Sequence, residues 1–294
     1  FDYYYLNDHL ADYKYIIQKL KIEKIIFHIH YSKNLFNFNK EIIDRYKNAK
    51  FNLVNNNLLK NDLIKLGVFE NKIHHINIAI DNNHWCFEEK NYQSFRKKNS
   101  INPDQLIIGG SGSISSRKGT DLFFEVFKLV KKNNLENKVL FFWLGGLSDV
   151  NADKTENEIK KKIKYSKFSV LLKKQMINNK INFLEVSKNP IFFYNMIDIL
   201  IIPSRKEVGP LTMLESMSLE KIVISYKDCG AASMALDKNA GILLSKNNPL
   251  FYFNAIKKIL DNKNIFDEIK KNARKKVIKN FSMINEAKII EKLL

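Results

Sequence analysis

Residues 197–220, IDILIIPSRKEVGPLTMLESMSLE, constrain this chain more than any other stretch. Positions 197–203 are short, nearly all apolar and rich in β-branched side chains, which predicts a strand buried on both faces. Such strands belong to parallel sheets covered by helices. The run ends in Pro203-Ser204-Arg205, followed by Glu207, Gly209-Pro210 and a helical pattern carrying Glu215. Pro210 falls at the first-turn position that a helix tolerates best. Gly209 just before it lets the backbone approach a ligand closely. The amides of Leu211, Thr212 and Met213 then have no partner within the helix and are free to hold a phosphate or a polarised hydroxyl.

Glu207 lies on the expected loop and Glu215 about one turn into the expected helix, with seven residues between them. Both fall at the carboxyl end of a parallel sheet, where open α/β sheets bind their ligands. A carboxylate accepts two hydrogen bonds side by side and so matches the vicinal diol of a ribose or a sugar ring. Two solvated glutamates would explain a bare pair at this spacing. The strand, Pro-Ser-Arg, Gly-Pro and helix in register favour the ligand site.

A second motif is independent of the first. Residues 105–123, QLIIGGSGSISSRKGTDLF, read as a strand, a glycine-rich loop and a helix. Gly112 and Ser113 let the backbone come close to a pyrophosphate, and Arg117 and Lys118 offer charged donors. The order Arg117-Lys118-Gly119 does not fit a P-loop, and Gly110-Ser111-Gly112 lacks the third glycine of a dinucleotide fingerprint.

Together the two motifs resemble the retaining glycosyltransferases of the GT-B fold, the glycosyl transferases group 1 family. Its donor domain carries Glu-x7-Glu after a strand ending in Pro-Ser. The matching residues are Pro203-Ser204-Arg205, Glu207, Gly209-Pro210-Leu211 and Leu214-Glu215-Ser216-Met217. The resemblance implies two Rossmann-like parallel-sheet domains facing a cleft. It implies that Glu215 holds the donor ribose and that Glu207 lies by the transferred sugar, with amides after Gly209 helping to hold it. The loop of Gly112, Ser113, Arg117 and Lys118 would bind the diphosphate. Ser113 stands where many members have an arginine, and either Arg117 supplies that charge from a new place or the diphosphate is held less tightly. The implied reaction moves a sugar from a nucleotide-diphosphate donor to a glycan or lipid-linked saccharide, with retention at the anomeric carbon. With no carboxylate cluster suited to a metal, the reaction is expected to be metal-independent and without a cofactor.

Around these motifs apolar runs alternate with helical spacing. Residues 139–146, 181–186, 221–225 and 241–244 read as further strands of a doubly wound sheet. The front of the chain alternates too. Strands are expected over 2–6, 23–30, 51–54 and 73–80, and helices over 8–20, 39–47 and 61–66, the last stopped by Gly67. This matches the second half of the family's acceptor domain, in which a strand ends in a histidine, here His30. The expected division is 1–103 for that incomplete domain, 104–279 for the donor domain, and 280–294 for a terminal helix. The helix either packs locally or crosses back to the first domain. The family's opening strand and glycine-rich loop are absent and the chain begins with Phe1, so an upstream segment is expected. Alone, the chain is expected to bind donor and turn over poorly.

Composition bounds the remaining choices. The 294 residues suffice for two domains, and 45% hydrophobic content supports packed cores. No apolar run approaches the ~20 residues of a spanning helix. Cys86 and Cys229 form neither a disulfide framework nor a metal spacing, which suggests a reducing cytosol. The net charge of +18 suits an anionic partner such as a nucleotide diphosphate or a lipid headgroup surface, but lysine, asparagine and isoleucine abound along the whole chain, and a compositional bias is the favoured account of the charge. The expected location is therefore cytoplasmic, at the inner face of the membrane. The lysines are spread along the chain with no stripe of interleaved aromatics, so nucleic acid is not an expected partner. A catalytically silent GT-B scaffold and, behind it, a basic nucleic-acid-binding protein are the alternatives to an enzyme.

Overall fold

The computed structural model describes residues 3–7, 19–29, 40–147, 156–184, 189–207, 209, 211–230 and 232–294, with backbone alone at 58, 156–166 and 263–265. The chain divides into two compact units, residues 1–79 with 283–294, and residues 80–282.

The first unit is built on four parallel strands in sequential order, β1 (Tyr4–Asn7), β2 (Ile25–Ile29), β3 (Phe51–Val54) and β4 (Ile73–His75). Helices α1 (Lys40–Asn48) and α2 (Asn57–Lys65) connect them. Successive residues of β2 point to opposite faces of the sheet. Ile25, Phe27 and Ile29 therefore pack with Tyr46, Leu59 and Leu63, while Ile26 packs on the other side with Phe51, Leu53 and Ile76. Asn56 begins α2 by accepting the Leu59 amide at 2.8 Å, four residues earlier than hydrophobic spacing alone indicates. The fourth strand is shorter than the apolar pattern of 73–80: it stops at His75, and Ile80 forms an isolated bridge with Ser282 in the second unit.

In the second unit, α3 (Glu89–Lys98) precedes six parallel strands. The strands and intervening helices run β5 (Leu106–Ser111), α4 (Thr120–Lys132), β6 (Val139–Leu144), α5 (Glu156–Asn178), β7 (Asn182–Leu184), α6 (Ile191–Met196), β8 (Ile199–Ile202), α7 (Leu211–Ser218), β9 (Ile222–Tyr226), α8 (Ala232–Ala235) and β10 (Ile242–Leu244). Helices α9 (Pro249–Asp261) and α10 (Lys263–Asn280) close the unit, and α11 (Met283–Leu293) follows. The sheet order is β10-β9-β8-β5-β6-β7. The chain starts at the middle strand β5, moves outward through β6 and β7, then returns to the other side of β5 as β8. That reversal is the topological switch point, and the loops leaving β5 and β8 diverge there to leave room for a ligand. All of β8 and β9 is buried, as their unbroken apolar runs require.

The division at 79/80 differs from an expected boundary at 103/104. A buried polar cluster ties residues before the expected boundary to the second unit. Asp198, just before β8, accepts the Ile107 amide at 2.7 Å and the Tyr92 hydroxyl at 2.7 Å, and lies 3.4 Å from Arg96 Nη1. Arg96 also donates to the carbonyls of Asn102 and Gln105 at 2.6 Å each. Helix α3 is thereby fixed to the six-stranded sheet. Helix α11 belongs to the first unit, where Ile290 and Leu293 pack beside Ile26 and Phe51, and Glu286 Oε2 accepts the Asn77 amide at 3.2 Å.

Candidate donor site

The loop leaving β5 and the loop leaving β8 meet at the switch point, and backbone geometry brings them into contact. Gly119 begins α4 with φ of +68°, and a Cβ there would stand 2.1 Å from the Pro203 carbonyl oxygen, so glycine is required both for conformation and for space. Gly112 has φ of +126°, and its carbonyl accepts the Trp143 indole N–H at 3.0 Å, which fixes the start of the loop to β6. Ser204 is buried, with its hydroxyl 3.5 Å from the Lys118 carbonyl.

Contact between the loops pairs their charges. Lys118 Nζ lies 2.5 Å from Glu207 Oε1, and Arg117 Nη1 lies 3.5 Å from the same oxygen. The Glu207 side chain is one-tenth exposed, whereas that of Arg117 is about half exposed. Arg117 also donates to the Lys206 carbonyl at 3.3 Å. A largely covered carboxylate beside two cations, reached by a glycine-rich loop, forms an anion-binding arrangement whose present anion is the protein's own.

Glu215 lies in α7 and is half-buried. Burial pushes its carboxyl up to about 7. Tyr194 of α6 is fully buried, and burial together with the Glu215 charge raises its phenol far above the ordinary range. The Tyr194 hydroxyl donates to Ser111 Oγ at 3.0 Å. Cys229, also buried, has its thiol pushed up to about 11 by burial, which disfavours a thiolate nucleophile.

The structure thus brings Arg117, Lys118 and Glu207 together. Gly112 opens the first loop, and Ser113 is half-buried with its hydroxyl 3.4 Å from Ser115 Oγ. Gly209 is half-buried, Leu211 is exposed and Thr212 half-buried at the start of α7. Pro210 and His30 lie outside the described residues. Sequence motifs did not reveal the Arg205–Asp121 pair, the Tyr194–Ser111 contact or the Trp143 hydrogen bond to Gly112. Arg205 was visible in Pro-Ser-Arg and Asp121 in the first turn of α4, but their pairing depends on how the two loops close. Among the described residues no group of three or more His, Cys, Asp or Glu is placed to hold a metal. No described helix is long and apolar enough to cross a membrane.

A parallel sheet in this strand order, with a glycine-rich Arg-Lys loop meeting the Glu207 loop at its switch point, defines a Rossmann-like unit with a candidate ligand site at the carboxyl ends of its strands. The chain belongs to the glycosyl transferases group 1 family, whose family model matches residues 91–276.

Relatives are consistent with that membership. The chain is 25% identical over 244 residues to the capsular polysaccharide biosynthesis glycosyltransferase CapM of Staphylococcus aureus, covering 82% of this chain and 58% of that protein. It is 22% identical over 247 residues to the alpha-galactosylglucosyldiacylglycerol synthase of Streptococcus pneumoniae, covering 79% and 62%. The chain therefore spans about three fifths of these relatives' length. Among solved structures, Anabaena HepE in complex with UDP has a TM-score of 0.74 at 16% identity, over 91% of this chain and 71% of that one. Sucrose-phosphate synthase of Thermosynechococcus elongatus also gives 0.74, at 14% identity over 100% and 73%. At these identities the likeness carries the fold, the α/β class of GT-B glycosyltransferases with two parallel sheets.

Proposed function

We propose that the second unit binds a nucleotide-diphosphate sugar, and that the protein transfers the sugar with retention of anomeric configuration. The observation that carries this reading is the closure of the glycine-rich loop on the Glu-x7-Glu loop, with Lys118 and Arg117 both directed at Glu207. A donor diphosphate entering there replaces the Glu207 carboxylate as the partner of the two cations. Glu207 is then released toward the sugar hydroxyls. Glu215 holds the ribose diol, and the amides at the start of α7, after Gly209 and Pro210, add donors near the sugar.

In the transfer step the bond between the anomeric carbon and the diphosphate oxygen breaks, and negative charge grows on the leaving diphosphate. Lys118 and Arg117 stabilise that charge more in the transition state than in the ground state, which is what lowers the barrier. The acceptor hydroxyl attacks from the face that the leaving group vacates, and its proton passes to a phosphate oxygen. Glu207 positions the sugar and shapes the field, and no covalent glycosyl intermediate is required of it. The step needs no metal, because the two cations meet the diphosphate charge.

The acceptor is a glycan or a lipid-linked saccharide, by analogy with the polysaccharide and glycolipid enzymes among the relatives. The net charge of +18 suits peripheral contact with an anionic membrane at its cytoplasmic face. The first unit, whose sequence includes His30, is the acceptor side and the second the donor side.

Ligand-induced thermal stabilisation tests the donor reading, since a ligand that binds the native state raises its melting temperature. UDP, GDP, ADP and their sugars are compared on wild type and Glu215→Ala. One nucleotide family should stabilise the wild type and lose its effect in the variant. Equal melting temperatures with every nucleotide, in a folded sample, would contradict the reading.

A further inference from the structure

We propose that Arg205 and Asp121 are positioning residues for donor binding: their ion pair locks the lysine loop to the glutamate loop and so sets where Lys118 stands relative to Glu207. This rests on the donor-site reading and adds two residues to it. Arg205 Nη1 and Nη2 meet Asp121 Oδ1 and Oδ2 at 2.8 and 2.7 Å, the bidentate fork that fixes both distance and orientation. The same Nη1 donates to the Ser116 carbonyl at 2.6 Å, and the Arg205 amide donates to the Arg117 carbonyl at 2.8 Å. One residue of the β8 loop thus grips two consecutive carbonyls of the β5 loop. It stands two positions before Glu207, while Asp121 stands three positions after Lys118.

The pair is about one-third exposed, and ion pairs at that exposure contribute little to global stability. Alignment is a different matter, because a charge displaced by about 1 Å from a ligand oxygen loses much of its effect. No other ion pair among the described residues connects residues 112–121 to residues 203–207, apart from those made by Arg117 and Lys118 themselves. Without Arg205–Asp121, the ion pairs left between the loops are those of Lys118 and Arg117 with Glu207, and these are the ones that a diphosphate would displace. The pair therefore keeps the loops in register while Lys118 changes partner.

The test uses Asp121→Asn, Arg205→Lys and Asp121→Glu in the full chain, with UDP, ADP and GDP each compared with its nucleoside. In Asp121→Asn and Arg205→Lys the preference for diphosphate over nucleoside should fall by about tenfold, and Asp121→Glu should recover most of it. A structural defect alone would weaken both ligands together and leave their ratio unchanged. Hydrogen exchange gives a ligand-free readout: amides of 113–119 and 204–207 should exchange faster together in the first two variants, with β8 unchanged. Folded variants with wild-type ratios and wild-type exchange would overturn the proposal. If the wild type binds no nucleoside diphosphate, the donor reading fails and the donor role of the pair falls with it, while exchange separately shows whether the pair holds the two loops in register.

Discussion

Lys118 Nζ lies 2.5 Å from Glu207 Oε1, although the two residues are 89 positions apart and on different loops. Strand order makes this contact, because β5 and β8 are neighbours at the switch point and each loop leaves at the carboxyl end. A nucleoside diphosphate entering the site has to compete with a carboxylate for Lys118 and Arg117.

Glu207→Gln should therefore separate binding from turnover. The amide keeps the shape and removes the competing charge, so a nucleoside diphosphate should bind several-fold tighter, on the order of 1 kcal/mol for a partly screened pair. Turnover of the sugar nucleotide should fall by about tenfold or more, since the group that faces the sugar has lost its charge. Calorimetry gives the first quantity and steady-state kinetics the second. Weaker diphosphate binding in the variant would count against the competition.

Donor binding should depend on pH through Glu215, which burial pushes up to about 7. A diol donates to the ionised carboxylate, so the ionised form is the binding form. Below pH 7 the apparent Kd should rise about tenfold per unit, and binding at pH 6 should release a proton. Glu215→Gln should flatten the profile. The same group affects folding. A carboxyl raised from 4.5 to about 7 leaves the folded state with more protons than the unfolded state in that window, so its contribution to stability declines as pH rises from 4.5 to 7.

Lys221 gives the opposite slope at higher pH. It is 4% exposed, donates to the Asn195 carbonyl at 2.8 Å, and lies over the Phe87 and Tyr92 rings at 4.1 and 5.0 Å from their centroids. Burial lowers its ammonium from 10.5 to about 7. Between those values the unfolded chain holds more protons than the folded one, so the unfolding free energy should climb with pH, by several kcal/mol across the window. Lys221→Met should remove that slope in urea titrations at pH 7, 8 and 9. An unchanged slope in the variant would assign it to other groups.

Asp198→Asn should be strongly destabilising and leave the ligand loops chemically intact. It removes the charge facing buried Arg96 and weakens the acceptor for Ile107 and Tyr92. Breaking one side of a buried pair costs about 3–5 kcal/mol. The loss should appear as a lower urea midpoint with an unchanged slope. A change under about 1 kcal/mol would show that α3 is held by packing alone.

The second unit was readable from sequence because strands buried on both faces leave unbroken apolar runs, and 197–203, 139–146 and 221–225 are such runs. Each strand in the structure lies inside or within a residue of its run. The Gly-rich loop and Glu-x7-Glu are local patterns and were equally legible. Contacts between distant segments were not. Nothing in Glu89–Lys98, a charge-rich stretch with few apolar positions, announces that Arg96 reaches Asp198 across 102 positions. That buried cluster places α3 with the second unit, and the Arg205–Asp121 pair likewise exists only once the loops close. Strand β4 ended early because Asn77 turns its amide to Glu286 of the last helix, which an apolar pattern does not encode.

The most direct test of the central claim is calorimetric titration of wild type and Lys118→Ala with UDP, ADP and GDP and with the matching nucleosides. One diphosphate should bind the wild type much more tightly than its nucleoside. Lys118→Ala should remove most of that preference, by about 2 kcal/mol for a lost charge-assisted contact, with nucleoside affinity unchanged. Equal affinities for diphosphate and nucleoside in the wild type, or an undiminished preference in Lys118→Ala, would contradict a donor site built on the Lys118–Glu207 contact.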